Sequence, residues 1–355
     1  MPVAAIAVVS GVGVFGPVVA DASPKLPGIT AQDLLAKVQS AKVDSLSGTV
    51  QSTTNLGLPP LPDVGGGSGS GTGAITGLLT GNHTARVAFA GPNKAKVSLL
   101  DKMAERVWTS DGTTAWAYDS QKHEATKLNL PAGSTKPEAT PEKSYDPQAV
   151  AKQFLAAIDP TTKVQVTGTE KVAGRDAYKL RLIPKTDKTT VGSVTLAIDS
   201  KNWVPLQVTV MPRTGTDPAV QLGFSAVSFN APAASTFAFA PPAGTKVTDQ
   251  KVPSGTPDSK ATPHKNAWQE KPSGVKPTVI GTGWDSVVVV RGRVPSGSGA
   301  LDQLLANAPT VQGSWGTGKV LTSKMVSVLI TNDGRILAGL VPPSVLQSAA
   351  AKAPR

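Results

Sequence analysis

Apolar and polar side chains alternate along much of this chain, and this alternation restricts its fold more than any other feature. Val87 and Phe89 alternate with Arg86 and Ala88, and similar runs follow. Successive side chains of a β-strand point to opposite faces, so such runs predict strands with one apolar face. Asp111-Gly112 lies between two of the runs and favours a tight turn. This part of the chain is therefore predicted to form antiparallel hairpins.

The alternation becomes more regular in the middle of the chain. Apolar residues recur there at every second position: Tyr178, Leu180, Leu182, Val194, Leu196, Ile198, Val204, Leu206, Val208, Val210, Val220, Leu222 and Phe224. The last run changes phase at Ala226, which predicts a β-bulge. Together the runs predict an antiparallel sheet of about eight or more strands with one apolar and one polar face.

Two short amphipathic helices are predicted beside this sheet. The first spans 30–42, with Thr30 as its cap and Asp33 placed to return the capping contact. The second spans 147–159 and follows the capping residue Asp146. Two such helices are too small to cover the whole apolar face. Either the sheet closes into a tightly packed barrel, or it leaves an apolar concavity under a helical lid, which would bind an apolar molecule.

The N-terminal residues predict export. Residues 2–20 carry no charge, and Ala20-Asp21-Ala22 fits the small-residue pattern of a secretory cleavage site. The expected location is secreted or in the extracytoplasmic cell envelope. The first basic residue is Lys25, so the positive region that normally opens a signal peptide is missing. Because the stretch is about long enough to span a bilayer, residues 1–22 are predicted to be either a signal peptide or an uncleaved N-terminal anchor.

Changes in composition divide the rest of the chain. The main domain is predicted at 28–248, and 249–277 is rich in Pro, Ser, Lys and Thr, as an interdomain linker is. Residues 278–348 predict a small α+β module, which is near the lower size limit for independent folding. The predicted fold class of the chain is therefore α+β.

The composition also limits the function. The chain has no cysteine, which excludes disulfides, thiolate catalysis and thiolate metal sites. The formal net charge is +11, but the Lys and Arg residues are scattered, and the export signal argues against a nucleic-acid partner. The positive charge either attracts an anionic lipid surface or polymer, or only maintains solubility.

No catalytic or metal-binding motif is evident. His83, His123 and His264 lack the HxxxH or HExxH spacing of metal sites and are interpreted as solvated loop residues. The sequence has no G-x-S-x-G nucleophile elbow and no P-loop, and its G-x-G-x-x-G pattern at 11–16 lies in the leader. We therefore predict that the chain is not an enzyme and that it uses no cofactor or metal.

Six stretches between Thr30 and Val247 share their pattern with one known superfamily: LSGTVQST, GPN, ERVWTSDGTTAWAYDSQKHEATKL, VAGRDAYKLRLIP, VTLAIDSKNWVPLQVTV and STFAFAPPAGTKV. They resemble the LolA-like superfamily of outer-membrane lipoprotein carriers and RseB/MucB-like envelope proteins, in the extended form found in actinobacterial envelopes. The resemblance implies a strongly curved antiparallel sheet, a half-barrel, with covering helices at the mouth of an apolar cavity for acyl chains.

The resemblance also implies which residues line that cavity. The ligand-binding residues would be Val87, Phe89, Val97, Leu99, Trp116, Tyr178, Leu180, Leu182, Leu196, Ile198, Leu206, Val208, Leu222 and Phe224. The lid residues would be Leu34, Leu35, Val38, Phe154 and Leu155.

Two functions follow from these expectations. The first is an exported, non-enzymatic carrier or binder of lipid or of the acyl chains of a lipoprotein. The second is an envelope-stress sensor that regulates an anti-sigma factor, with a membrane-bound regulatory protein as its partner. The linker and the module at 278–348 favour the sensor. A membrane surface is a further candidate partner, and the alternative role of the positive charge is to maintain solubility.

Overall fold

The computed structural model describes residues 23–57, 81–101, 103–130, 160–251, 277–292 and 300–354. These residues contain the helices α1 (Ala31–Ser40), α2 (Ala300–Asn307) and α3 (Pro343–Lys352), with 3₁₀ turns at Ala234–Thr236 and Gly283–Asp285. The first twelve strands are β1 (Ser45–Thr54), β2 (Gly81–Ala90), β3 (Lys94–Leu100), β4 (Glu105–Asp111), β5 (Thr114–Asp119), β6 (Glu124–Asn129), β7 (Thr162–Val172), β8 (Arg175–Pro184), β9 (Val191–Asp199), β10 (Pro205–Pro212), β11 (Val220–Ser228) and β12 (Lys246–Lys251). The remaining strands are β13 (Thr278–Ile280), β14 (Val287–Arg291), β15 (Thr310–Gly313), β16 (Gly316–Thr322), β17 (Ser327–Thr331) and β18 (Arg335–Gly339).

Twelve strands form one large sheet in the order β12-β6-β5-β4-β3-β2-β1-β11-β10-β9-β8-β7. Neighbouring strands run antiparallel, with β12 as the exception. The sheet is curved and unclosed, because β12 and β7 at its two ends do not pair with each other. The large curved sheet predicted from the alternation is thus confirmed, and it is consistent with a half-barrel.

The parallel pairing of β12 with β6 corrects the expectation of a purely antiparallel sheet. After β11 the chain does not form a hairpin but crosses the sheet through 229–245, where Thr109 Oγ1 donates to the Phe237 carbonyl at 3.0 Å. A long crossing connection of this kind lets the next strand run parallel to the strand that it joins. Because β12 extends to Lys251, residues 249–251 of the predicted linker lie in the sheet.

The predicted bulge at the phase change of β11 is confirmed. Thr49 of β1 pairs with Ala226 and Val50 pairs with Phe224, which leaves Ser225 without a partner position in the register. A second register shift lies between Pro205 and Gln207 of β10, and a third lies in β7. Bulges bend the strands that contain them and increase the local twist. They therefore contribute to the curvature of the sheet.

Helix α1 forms where the sequence predicts it. The Thr30 hydroxyl accepts from the Asp33 backbone N–H at 3.1 Å and donates to the Asp33 carboxylate at 2.7 Å. The first bond satisfies a backbone N–H group that is otherwise unpaired at a helix N-terminus, and the second joins the two side chains. Leu34 is fully buried and packs with Tyr178, Leu180 and Ile198. The second predicted helix, at 147–159, lies outside the described residues.

Residues 277–354 contain a second sheet, in the order β13-β14-β18-β17-β16-β15. Helix α3 packs on one face of it through Leu346, against Val287, Leu329 and Leu337. The buried Arg335 donates to the Ala350 carbonyl at 2.8 Å and to two further backbone carbonyls, so it satisfies acceptors at the C-terminal end of α3. We refer to residues 277–354 as the C-terminal module.

The C-terminal module is joined to one end of the large sheet. Backbone and side-chain hydrogen bonds of 2.7 to 2.9 Å connect them: Thr190 N–H to Leu340 O, Lys324 N–H to Leu56 O, and Trp284 Nε1 to Thr162 Oγ1. The buried Met325 packs beside these bonds, against Val191 and Ala219 of the sheet. The two sheets therefore share an apolar cluster as well as backbone hydrogen bonds.

Within the described part of the chain, we find no helix with both the length and the apolar character needed to cross a bilayer. The predicted leader, at 1–22, falls outside that part.

Candidate functional site

The two faces of the large sheet carry different residues. Side chains that pair across neighbouring strands point to the same face, so the register traces each face from strand to strand. Helix α1 packs on the side that carries Tyr178, Leu180 and Ile198, and we call this side the helix face. Across the sheet, the helix face continues through Leu196, Val208, Leu222, Val50, Val87, Val97, Trp108, Ala117 and Thr126.

The helix face contains an apolar groove of about 400 Å³ on strands β3 to β6, bordered by β12. We call it the β3–β6 groove. Its lining includes Ala95, Val97, Trp108, Ala115, Ala117 and Leu128. The Trp108 residue is 46% exposed and Val97 is 39% exposed, although both are large apolar residues. Exposed apolar residues that cluster in a concave surface are typical of a binding site.

The groove forms because β5 carries small residues on this face. Trp108 pairs with Ala117 across β4 and β5, and Ser110 pairs with Ala115. The alanine side chains end at Cβ, so they leave the space beside the indole of Trp108 unfilled. Leu128 of β6 lies opposite Ala115 and adds an apolar wall. The sequence therefore builds a depression with a large aromatic side chain on one side and a low floor.

The other half of the helix face is filled by α1. Leu34 is 0% exposed, and Tyr178, Leu180 and Ile198 beneath it are at most 6% exposed. The Tyr178 hydroxyl donates to the Pro27 carbonyl at 3.0 Å, so its polar end has a partner within the chain. Leu34, Leu35 and Val38 of the predicted lid thus pack on the sheet, while Phe154 and Leu155 lie outside the described residues.

Most of the predicted ligand-binding residues lie on the helix face, divided between the packed half and the open half. The packed half holds Tyr178, Leu180, Leu182, Leu196 and Ile198. Strands of the open half and the centre hold Val87, Phe89, Val97, Leu99, Val208 and Leu222. The register assigns Phe224 to the same face, but its side chain packs against the cluster of Leu206, Ala177 and Ala197. Of these residues, Val97 borders the β3–β6 groove. A ligand contact remains a prediction for all of them.

Trp116 lies on the opposite face. It pairs with Thr109, whose hydroxyl binds the Phe237 carbonyl, and its ring centroid is 5.6 Å from that of Phe239. Tyr118 contacts the same Phe239 ring at 5.5 Å. The sequence pattern places the large residues of β5 on the cavity side, but the crossing segment 229–245 covers the opposite face and buries them there. Trp108 and Trp116 both border the β3–β6 groove, and Trp108 is the one that is 46% exposed.

Leu206 is also displaced from the predicted cavity. It is buried in a cluster with Ala177 and Ala197, which alternate with the helix-face residues Tyr178 and Ile198. The register shift between Pro205 and Gln207 accounts for this position, because a bulge turns a side chain away from the face that strict alternation assigns to it.

Sequence reasoning missed Trp108, although one signal was present. The Asp111-Gly112 turn fixes the register of β4 and β5, and counting back from it pairs Trp108 with Ala117. Two large apolar residues, Val107 and Trp108, are adjacent in β4, so one of them must face away from the covered side. Val107 is the buried residue of the two.

Lys96 is a charged residue that borders the β3–β6 groove. Other charged groups of the helix face lie nearby. Arg106 forms a 2.9 Å salt bridge with Asp101 on the helix face, and Nδ1 of His83 lies 3.7 Å from the same carboxylate. Among the residues with a described position, no group of three or more His, Asp or Glu side chains is placed to hold a metal ion.

A second, polar pocket of about 200 Å³ lies near Arg175 and Asp199. Burial raises the pKa of the Asp199 carboxyl, but hydrogen bonds from Arg175 and from the backbone N–H groups of Asn202 and Lys201 outweigh it, so this pKa lies below its usual value. The carboxylate is thus saturated by partners that fix the β8 and β9 ends. We interpret this pocket as a structural ion pair.

Comparisons with known proteins give matches only among solved structures, since no protein-family model and no curated protein matches the sequence. The complex of MucA and MucB from Pseudomonas aeruginosa is 15% identical, with a TM-score of 0.41 over 90% of this chain and 96% of that chain. A LolA superfamily protein from Nitrosomonas europaea is 14% identical, with a TM-score of 0.22 over 60% of this chain and 99% of that chain.

A putative outer membrane lipoprotein-sorting protein domain from Vibrio parahaemolyticus is 10% identical, with a TM-score of 0.20 over 56% of this chain and 91% of that chain. The predicted resemblance is confirmed in that LolA-superfamily proteins and MucB are both among the structures that this chain matches. The chain is similar to these proteins in structure at low sequence identity.

Proposed function

We propose that this protein is a non-enzymatic, extracytoplasmic binder or carrier of lipid, and that it holds an acyl chain in the β3–β6 groove. The observation that carries the proposal is the exposure of Trp108 and Val97 in a groove of about 400 Å³ with an apolar lining. The predicted export signal supports the location in the cell envelope. An acyl chain of a lipoprotein would present the same hydrocarbon to the groove.

The hydrophobic effect is sufficient to hold such a ligand. Each methylene group moved from water into an apolar site contributes about 0.8 kcal/mol. Ten methylene groups would thus supply about 8 kcal/mol before the cost of association is subtracted. No catalytic group is needed for this function.

The test is a substitution that places a charge in the groove. Val97→Asp should weaken the binding of a fluorescent fatty acid about 30-fold or more, because burying a carboxylate against hydrocarbon costs about 2 kcal/mol or more. Val97 is already exposed, so the variant should remain folded. Mass spectrometry of organic extracts from the purified protein should find acyl lipids in the wild type and lose them in the variant.

The matched control is Val279→Asp in the C-terminal module. Val279 is 60% exposed, so both variants exchange an exposed strand valine for a carboxylate. The control should bind the fatty acid as the wild type does. Equal binding by wild type and Val97→Asp would refute the assignment of the ligand to this groove.

The sensor remains the second candidate function, because the C-terminal module exposes apolar residues of its own. Val279 pairs with Val288, which is also exposed, on the face of the module sheet away from α3. A membrane-bound regulatory protein that binds this face would be retained by the wild type in a pull-down from envelope extracts. Loss of that protein with Val279→Asp, together with unchanged fatty-acid binding, would favour the sensor.

A further inference from the structure

The volume of the β3–β6 groove limits what it holds. A methylene group displaces about as much volume as a water molecule, about 30 Å³. A groove of about 400 Å³ therefore accommodates roughly 13 methylene groups. That volume corresponds to one medium-length acyl chain.

Among the described residues, the packed half of the helix face is filled by side chains of α1 and the sheet. Leu34 and Leu180 are at most 1% exposed, and both belong to the apolar cluster under α1. Protein interiors of this kind are packed as densely as organic crystals, so an acyl chain would have to displace α1. The Tyr178 hydroxyl also donates to the Pro27 carbonyl, and this bond holds the segment before α1 against the sheet.

The floor of the groove sets its depth. Ala117 lies between Trp108 of β4 and Thr126 of β6 in the register, and Ala115 lies two residues away on the same face. A longer side chain at Ala117 would occupy the space that the small methyl group leaves beside the indole. Ala117 is therefore the position at which capacity is most directly adjusted.

From the volume of the groove and the close packing beneath α1, we infer that the protein binds one acyl chain at a time, with a capacity of about 13 carbons, and that Ala117 sets this capacity. This inference rests on the proposed function and specifies its ligand as a single hydrocarbon chain. Two sources supply such a chain: a free single-chain amphiphile, or one chain of a diacyl lipid whose other chain stays in the membrane.

The experiment measures dissociation constants for saturated fatty acids of 8 to 18 carbons, below their micelle concentrations, by displacement of a fluorescent fatty acid. Affinity should rise about fourfold per added methylene until the groove is full, near 13 carbons, and then level off. Ala117→Leu adds three carbon atoms to the floor of the groove. In this variant the break, which is the chain length at which the affinity levels off, should therefore move to about 10 carbons. Thr195→Leu, on the opposite face of β9, is the matched control and should keep the wild-type break.

The outcomes separate the inference from the function on which it rests. A break near 13 carbons that shortens in Ala117→Leu, with one chain per protein by native mass spectrometry, supports the inference. An affinity that still rises at 18 carbons, or two chains bound per protein, overturns it while leaving lipid binding intact. If no fatty acid of any length binds, the proposed function fails.

A further experiment identifies the source of the acyl chain. The protein is incubated with a lysophospholipid or with vesicles of a diacyl phospholipid, and the bound fraction is isolated by size-exclusion chromatography. Retention of the lysophospholipid alone indicates a free single-chain amphiphile. Association of the protein with intact vesicles, lost in Val97→Asp, indicates one chain of a membrane lipid. Extraction of whole diacyl lipid with both chains buried would contradict the single-chain capacity.

Discussion

The packing beneath α1 can be tested directly with Leu34→Ala. Leu34 is fully buried and packs with Tyr178, Leu180 and Ile198. The substitution removes three carbon atoms, which costs about 2.4 kcal/mol in transfer free energy at about 0.8 kcal/mol for each. A residual cavity of about 50 Å³ would add about 1.2 kcal/mol at about 24 cal/mol per Å³. The expected loss in the free energy of unfolding is therefore about 3 to 4 kcal/mol.

The assay is urea denaturation followed by tryptophan fluorescence, with Leu35→Ala as the matched control. Both variants exchange leucine for alanine within α1, so the change in helix propensity is the same. Leu35 is only partly buried, so its loss should be about 1 kcal/mol. If Leu34→Ala costs less than 1 kcal/mol, then Leu34 lines a vacant space rather than a packed core. The groove for the acyl chain would then lie under α1, as the sequence predicts, and our placement on β3 to β6 would be wrong.

Two further predictions concern stability. Gly48→Ala should lower the free energy of unfolding by about 1 to 3 kcal/mol in thermal or urea denaturation, because the new Cβ would lie 2.5 Å from the Ala226 carbonyl oxygen. In the control Gly28→Ala the new Cβ would have no atom within 4 Å, so this variant should change the stability little. Hydrogen bonding to Arg335 lowers the pKa of Asp333 to about 2 in the fold, below its unfolded value of about 3.9. The stabilisation that this carboxylate contributes to the fold is thus complete above about pH 4 and is lost as the pH falls toward 2. Asp333→Asn should therefore reduce the slope of unfolding free energy against pH in that window. An unchanged slope would contradict this role of the carboxylate.

Local pattern was enough to predict most of the elements. The hairpins follow from side chains that alternate within each strand, and α1 follows from Thr30, Asp33 and the spacing of its leucines. The bulge near Ala226 was visible as a change of phase. These features depend on residues that are close together in the sequence, so no knowledge of distant contacts was required.

Distant contacts determined the position of the groove. Alternation shows that Trp116 and Trp108 belong to different faces, but it does not show which face the rest of the chain will cover. The segment 229–245 crosses the face of Trp116, and α1 covers β7 to β9 of the other face. Trp108 was left exposed by both. Its role could therefore not be read from the spacing of residues in β4 and β5.

The sequence by itself determined a large β-sheet with one apolar face, a capped helix beside it and the absence of any cysteine chemistry, because each depends on residue type or on short-range periodicity. The tertiary structure decided where that apolar face is packed and where it stays open. It also decided that β12 runs parallel to β6 and that the C-terminal module shares a cluster with the sheet. The physical reason is that a side chain is buried only when another segment packs against it. The segments that cover this sheet come from parts of the chain that are far in sequence from the strands that they cover.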